Sequence, residues 1–341
     1  MPRPKPSFDL IRRLEKHLDQ KKWFRAGEKI LIACSGGPDS VALAHLMNRM
    51  AGPRKWRLSL IHFHHGLRGR HADRDAKFVR RTARELGMEF YLGRGNVAAL
   101  ARREKLSTEE AARKARYDFL IQTARRLKIR KVLLAHTLDD QAETVMMRVL
   151  QGTGLRGLIG IREKLNLNGI ECLRPLLSFF KKELLGFLKA EKISYQMDES
   201  NLSTNFLRNK IRRKLMPLLE RDINPRVMSA LARIPEILQD ENDILEKHFL
   251  RAWKMSVPRQ RAGKGIKLRA KTFFNLAPAL QFRVLDGALR RVHPASGLSF
   301  EAWKNIRPAL SKKRGRWTLP QGLDLVVTPS AVNICKIAPF Q

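Results

Sequence analysis

The sequence predicts an α/β fold: a parallel sheet covered on both faces by helices, then a smaller, mainly helical module with a terminal β-hairpin. Three observations predict it. Short apolar runs alternate with amphipathic helical stretches through the first two-thirds of the chain, the pattern of a buried parallel sheet. A Gly- and Ser-rich turn joins the first apolar run to the helix after it. Beyond Pro217 the alternation stops and long helical patterns take over.

In chain order, residues 29–33 (KILIA) read as a short buried strand, and 41–50 (VALAHLMNRM) as the helix that follows the turn. Residues 57–62 and 89–92 are further strands, with a helix over 74–86 between them. A long helix is expected at 109–127, its polar start Ser107-Thr108-Glu109-Glu110 suited to an N-cap. Residues 131–135 (KVLLA) form a fully apolar strand and 138–150 return to helix. In such a sheet the ligand site lies at the C-terminal ends of the strands, at a topological switch point. In the second module, helices are expected at 226–253, with Pro235 a kink or break, at 279–292 and at 299–310. Short strands follow at 316–319, 325–327 and 331–337, with Gly322 and Pro329 at turns. The domain division is 1–220 and 221–341.

The chain has 341 residues with 68 Lys+Arg against 32 Asp+Glu, a formal net charge of +36, and is 43% hydrophobic. That apolar content supports real cores and excludes a disordered basic tail. No apolar run approaches the roughly 18–20 residues of a membrane span, and the N-terminus shows no secretory signal. Three widely spaced cysteines, Cys34, Cys172 and Cys335, offer neither a disulfide framework nor a zinc site, so a cytoplasmic protein is expected. So large a charge calls for a polyanion, nucleic acid first and an anionic membrane surface second. Residues 1–200 carry net +19 and residues 201–341 net +17, so a long polyanion is expected to cross both parts. The segments 259–271 and 312–316 are the most basic and read as phosphate contacts rather than solvated loops.

The most informative segment is ILIACSGGPDS, residues 30–40. Gly36 and Gly37 let the backbone approach an anion, and the helix start behind Pro38 offers unpaired N–H groups. Ser35 and Ser40 add hydroxyls. Asp39 would repel phosphate unless a divalent cation lies between them, which implies Mg2+. An ordinary strand-to-helix turn uses the same residue types. The loop is neither G-x-x-x-x-G-K-[ST] nor G-x-G-x-x-G, and it has no lysine for the terminal phosphates.

The loop resembles the SGGxDS loop of the PP-loop, or N-type ATP pyrophosphatase, superfamily. Further segments narrow the likeness: 62–68 (HFHHGLR), the helix bearing Glu109, Arg113, Arg116 and Tyr117, 135–144 (AHTLDDQAET), 152–158 (GTGLRGL), 174–177 (RPLL), and 198–201 (DESN) leading into 208–212 (RNKIR). Over about residues 25–220 this ordered set is similar to the tRNA(Ile)-lysidine synthetase family. The resemblance implies a Rossmann-like, adenine nucleotide alpha hydrolase-like domain. It implies that ATP adenylates C2 of the wobble cytidine in the CAU-anticodon isoleucine tRNA, and that free L-lysine then displaces AMP to form lysidine. Members of the family are often dimers, so a homodimer is kept as an expectation. Longer members carry a further small domain, and this chain, ending at Gln341, is expected to be a short form.

Under the resemblance, Ser35, Gly36, Gly37, Pro38, Asp39 and Ser40 bind ATP, with Asp39 on Mg2+ and His136 at adenine or the cleft edge. Asp140 and Glu143 lie one helical turn apart and can face one cleft. They could hold the lysine ammonium, take its proton or ligate Mg2+; they could also be ordinary first-turn helix acids. Arg113 and Arg116 could stabilise charge on the α-phosphate, one of them being surface. Asn201, Arg208, Asn209 and Arg212 form a polar set that the resemblance places near the nucleotide and lysine sites; as bare sequence it could be a helix cap and a surface face. His62, His64 and His65 lack zinc spacing. The rivals are a tRNA thiolase, disfavoured because the chain has no C-x-x-C and Cys34 reads as a buried structural thiol, and a non-catalytic RNA-binding protein.

Overall fold

The computed structural model describes residues 6–66, 70–197, 207–258, 265–293, 297–319 and 322–336. The chain divides into two compact units, Met1–Leu238 and Gln239–Gln341.

The first unit opens with α1 (Pro6–Lys21), then β1 (Lys29–Ala33), α2 (Pro38–Arg54), β2 (Arg57–His64), α3 (Arg70–Glu85) and β3 (Glu89–Arg94). It continues with α4 (Val97–Glu104), α5 (Thr108–Arg126), β4 (Lys131–Leu133), α6 (Leu138–Leu150) and α7 (Leu155–Leu158). The hairpin β5 (Lys164–Leu167) and β6 (Ile170–Leu173) leads to α8 (Lys181–Ala190). Then come α9 (Leu207–Lys210), a π-helical turn (Ile211–Leu215), α10 (Met216–Asp222) and the start of α11 (Val227–Ser256).

The sheet runs in the order β3-β2-β1-β4-β6-β5. Every pairing is parallel except β5 with β6. Successive connections from β1 to β3 move one way, and the return to β4 lands on the other side of β1. The switch point therefore lies between β1 and β4, where the crevice of a doubly wound sheet forms. β1 is buried on both faces, as its unbroken apolar run requires. Ile30 and Ile32 pack with Leu14 of α1, Leu43 and Met47 of α2, and Phe187 of α8. Leu31 faces the opposite core with Tyr117, Leu120 and Ala124 of α5 and Val132 of β4. Each such fully buried large side chain contributes roughly 1.5–3 kcal/mol.

Local chemistry sets the element ends. Ser107 caps α5 in a capping box: its Oγ accepts from Glu110 N at 3.2 Å, and Glu110 Oε2 accepts from Ser107 N at 3.0 Å. The β5–β6 hairpin, absent from the sequence expectation, turns on Asn168 (φ 54°) and Gly169 (φ 88°), the Asn-Gly pair that a tight hairpin favours.

In the second unit the later part of α11 is followed by β7 (Gly265–Arg269), α12 (Ala270–Phe274), α13 (Pro278–Val292) and α14 (Phe300–Lys312). The antiparallel strands β8 (Gly315–Leu319), β9 (Leu323–Val327) and β10 (Ala331–Lys336) complete it. The expected terminal hairpin is β9–β10, set in a four-stranded sheet of order β7-β10-β9-β8. β7 falls inside the basic segment 259–271 read as phosphate contacts, of which residues 259–264 lie outside the described residues. Ile266 and Leu268 are buried in the unit's core with Phe273, Val284, Leu285 and Ile306, while Lys267 and Arg269 are exposed. The period-two pattern was present but masked by charge. Pro235 does not break α11, which continues unbroken across it. Among the described residues no helix is long and apolar enough to cross a membrane.

Candidate active site

The loop after β1 folds as a hydroxyl-braced turn. Ser40 Oγ donates to Gly37 O at 2.9 Å and accepts from Ser35 N at 3.1 Å, while Ser35 Oγ accepts from Gly37 N at 3.3 Å. Gly36 has φ +93°, a conformation that side-chain-bearing residues rarely adopt. Gly37 is the N-cap of α2, and no side chain caps that helix, so its first-turn N–H groups face the loop's concavity. His62 Nδ1 bonds the Cys34 carbonyl at 2.8 Å and props the loop from β2. Burial pushes the Cys34 thiol up, which keeps it protonated and structural.

Asp39 stands in the first turn of α2. Its Oδ2 lies 3.4 Å from Lys181 Nζ, and its buried Oδ1 has no hydrogen-bond partner among the described residues. Burial pushes its carboxyl up to about 6; Lys181 opposes that shift, and Asp140 and Asp139 add to it. One carboxylate with an open, buried oxygen beside a Gly-rich turn at a helix N-terminus fits Mg2+, which is held by one or two carboxylates together with substrate phosphates.

Across the switch point, α6 begins at the C-terminal end of β4. Thr137 is its N-cap, and Asp140 Oδ2 accepts from Thr137 N at 2.9 Å. That fixes the carboxylate, whose Oδ1 accepts from Arg208 Nη2 at 3.0 Å and Arg212 Nη2 at 3.2 Å. Glu143, 2% exposed, is bound on both oxygens. Its Oε1 accepts from Arg212 Nε at 2.6 Å, and its Oε2 from Arg212 Nη2 at 2.8 Å and Arg208 Nε at 3.2 Å. Burial pushes Asp140 up, but Arg208, His136, the Thr137 amide and Arg212 outweigh it and hold the carboxyl below its ordinary value. Arg208 and Arg212 straddle the junction of α9 with the π-helical turn, a local widening found often at functional sites.

His136 is half-buried, and its ring is pushed down to about 3 by desolvation and by Arg174, Arg116 and Arg208 against the pull of Asp140. The neutral ring accepts from Arg174 Nε on Nδ1 at 3.2 Å, which leaves its proton on Nε2. Arg174, 3% exposed, also donates to Arg162 O at 2.6 Å and to Tyr117 Oη at 3.2 Å. Arg116 lies over the Tyr117 ring at 5.6 Å with a buried Nε. Burial lowers its guanidinium, and the neighbouring Arg113, Arg174 and Arg208 lower it further. Arg113, 5.0 Å over the same ring, is exposed.

The structure thus gathers Ser35, Gly36, Gly37, Pro38, Asp39, Ser40, Arg116, His136, Asp140, Glu143, Arg208 and Arg212 at one switch point. Asn209 follows Arg208 on α9; Asn201 lies outside the described residues, as do Leu67, Arg68 and residues 198–200. Among the described residues no cluster of His, Cys, Asp or Glu could hold a metal alone, His62 and His64 included. Two site residues were not singled out from sequence. Arg174 opens the RPLL segment and positions His136. Lys181, seven residues on, is pinned because Asp139 Oδ2 accepts from its backbone N at 2.8 Å. Asp139 therefore caps α8 rather than lining the cleft.

Residues 7–219 match the PP-loop domain family. The tRNA(Ile)-lysidine synthase of Clostridioides difficile (strain 630) is 32% identical over 275 residues, which cover 81% of this chain and 59% of that protein. The tRNA(Ile)-lysidine synthase of Chlorobaculum tepidum is 32% identical over 314 residues, 92% of each chain. Against other curated relatives the chain spans about half their length. Among solved structures, the U34-tRNA thiolase NcsA from Methanococcus maripaludis superposes with a TM-score of 0.56 at 20% identity, covering 67% of this chain and 80% of that one, a likeness of fold. With the loop, the switch point and the α6 acids in place, these likenesses show that the chain belongs to the PP-loop domain family and, within it, to the tRNA(Ile)-lysidine synthases.

Proposed function

We propose that this chain ligates L-lysine to C2 of the wobble cytidine in the CAU-anticodon isoleucine tRNA at the expense of ATP. One observation carries the reading: the hydroxyl-braced SGGPDS loop and the paired acids Asp140 and Glu143 meet at one strand-order switch, with Arg208 and Arg212 paired to the acids. The names of the relatives supply the substrate class.

In this reading the loop and the α2 N-terminus hold the pyrophosphate portion of ATP, and Asp39 holds Mg2+, which supplies charge neutralisation on the phosphates. The cytidine C2 oxygen attacks the α-phosphate and pyrophosphate leaves. Arg116, whose buried Nε has no partner among the described residues, faces the negative charge that builds there. A neutral amine of lysine then attacks C2, and AMP leaves with the former C2 oxygen. Asp140 and Glu143 hold lysine's ammonium. Because both are bonded to Arg208 and Arg212, the ammonium exchanges with a guanidinium rather than adding to the pair. The low position of the Asp140 carboxyl makes it an ion-pair partner rather than a proton acceptor.

Incubating the tRNA transcript with ATP and lysine tests the reading by mass spectrometry of the wobble nucleoside. The expected gain is one lysine condensed with loss of water; an unchanged cytidine overturns it. The thiolase alternative is disfavoured because Cys34 and Cys172 are buried and burial raises both thiols.

Residues 221–341 are proposed as the additional tRNA surface. Lys312, Lys313 and Arg314 are exposed, whereas Arg316 donates to Asp324 Oδ2 at 2.6 Å and serves the sheet. Replacing Lys312, Lys313 and Arg314 by Gln is expected to weaken tRNA binding and to reduce the slope of log K against log salt by about 1–3, up to one unit for each of these cations that neutralises a phosphate. Filter binding across a salt series measures it, and an unchanged slope marks the cluster as solvated surface.

A further inference from the structure

We propose that Lys181 is the phosphate-holding cation of this site, supplying from α8 the charge that the loop itself lacks. The proposal rests on the reading of the loop as an ATP site. Between Lys29 and Arg49 the chain contains no Lys or Arg, so the loop and the first three turns of α2 offer N–H groups and hydroxyls but no full positive charge. They also carry Asp39, whose charge opposes a polyphosphate. A cradle of this kind needs a cation delivered from elsewhere.

Lys181 is placed to deliver it. Its Nζ lies 3.4 Å from Asp39 Oδ2, and its side chain is 33% exposed, so the ammonium stands at the mouth of the loop with water on one side. Its backbone is not free to drift. Asp139 of α6 accepts its N–H, Leu138 N donates to Phe179 O at 2.9 Å, and Phe180 N donates to Glu183 Oε2 at 2.8 Å. The starts of α6 and α8 are thereby tied together, and the helix carrying the lysine-site acids also sets the position of this ammonium. The long separation from Asp39 leaves donors on Nζ for a third group. A phosphate oxygen beside Asp39 can accept from Nζ directly, and the carboxylate would hold Mg2+ when the ion is bound.

The next residue provides an internal control. Lys182 is exposed and its Nζ lies 4.9 Å over the Phe180 ring. Two adjacent lysines thus differ in what they face: one a carboxylate of the loop helix, the other an aromatic ring of its own segment.

The test measures equilibrium binding of α,β-methylene-ATP with Mg2+, and of adenosine, to the full chain carrying Lys181→Met, Lys181→Arg or Lys182→Met. Lys181→Met is expected to weaken the nucleotide about 10–100-fold while leaving adenosine affinity unchanged. Lys181→Arg restores most of the affinity, and Lys182→Met matches the parent. Parental nucleotide affinity in Lys181→Met overturns the proposal. So does an equal loss for adenosine and nucleotide, which marks a merely structural role. A parent chain that binds nucleotide through Lys181 but forms no lysidine upholds the proposal and sinks the lysidine reading; a parent that binds no nucleotide sinks both.

Discussion

Asp39→Asn is expected to abolish AMP formation and, at the same time, to stabilise the fold above pH 6. The activity loss follows from the carboxylate's place in the first turn of α2, with one buried oxygen left open beside the phosphate loop. An amide there keeps the shape and removes the charge proposed to hold Mg2+. Affinity for tRNA should stay near the parent's, because the residue faces the loop; a large fall in tRNA binding contradicts the Mg2+ role.

The stability gain follows from the same burial. The carboxyl titrates near 3.8 in the unfolded chain and at about 6 in the fold, chiefly through desolvation. Between those values the folded protein keeps a proton that the unfolded chain has released. Stability therefore falls as pH rises through that window, by up to about 3 kcal/mol, and the loss is complete above pH 6. Asn has no charge to bury and escapes the loss. Urea unfolding in EDTA should show the variant ahead by about 1–3 kcal/mol at pH 8 and level with the parent near pH 3.5. Equal midpoints at both pH values rule out a burial cost at this carboxyl. A site residue that costs stability when charged is the expected signature of binding machinery placed where substrate repays the cost.

Glu143→Ala carries the second large effect. It is expected to cut lysine transfer by at least ~100-fold while pyrophosphate release in a single turnover persists, since the loop and Asp39 are untouched. It also leaves Arg208 and Arg212 sharing Asp140 alone. Breaking a buried ion pair costs about 3–5 kcal/mol, but these guanidiniums are 33% and 30% exposed, so water reduces the loss to about 1–3 kcal/mol. Asp140→Ala also removes half of the α6 capping box, a further cost of about 1 kcal/mol. Glu143→Gln separates the two effects by keeping part of the hydrogen bonding and removing the charge. Parent-like lysine transfer in both alanine variants removes these acids from the site.

Much of this molecule was legible in its residues. Unbroken apolar runs such as KILIA announce strands buried on two faces, because only a covered parallel sheet hides both sides of such a segment. Ser35, Gly36, Gly37 and Asp39 are adjacent in sequence, so the loop's chemistry needed no tertiary contact to be read. Asp140 and Glu143 are one helical turn apart, and their common face follows from helix geometry alone. The β5–β6 hairpin and β7 were missed for local reasons: the Asn168-Gly169 signal sits between very short strands, and the alternation around Ile266 and Leu268 is overlaid by positive charge.

The rest was decided by the tertiary structure. Strand order places β1 beside β4, and only that return across the sheet brings Asp39 and Asp140 to one crevice, about a hundred residues apart in sequence. Arg113 and Arg116 both lie over the Tyr117 ring, and the tertiary fold separates them by exposure: Arg113 is exposed, while the Nε of Arg116 is buried. The partners of the acids, Arg208 and Arg212, come from a segment 65 or more residues away, and Lys181 reaches Asp39 from 142 residues on. Sequence by itself determined the elements and the chemistry of each local motif, because backbone periodicity and neighbouring residues carry that information. Which motifs meet, and which charges answer each other there, was decided only when the sheet was assembled, because contacts across such separations leave no periodic trace along the chain.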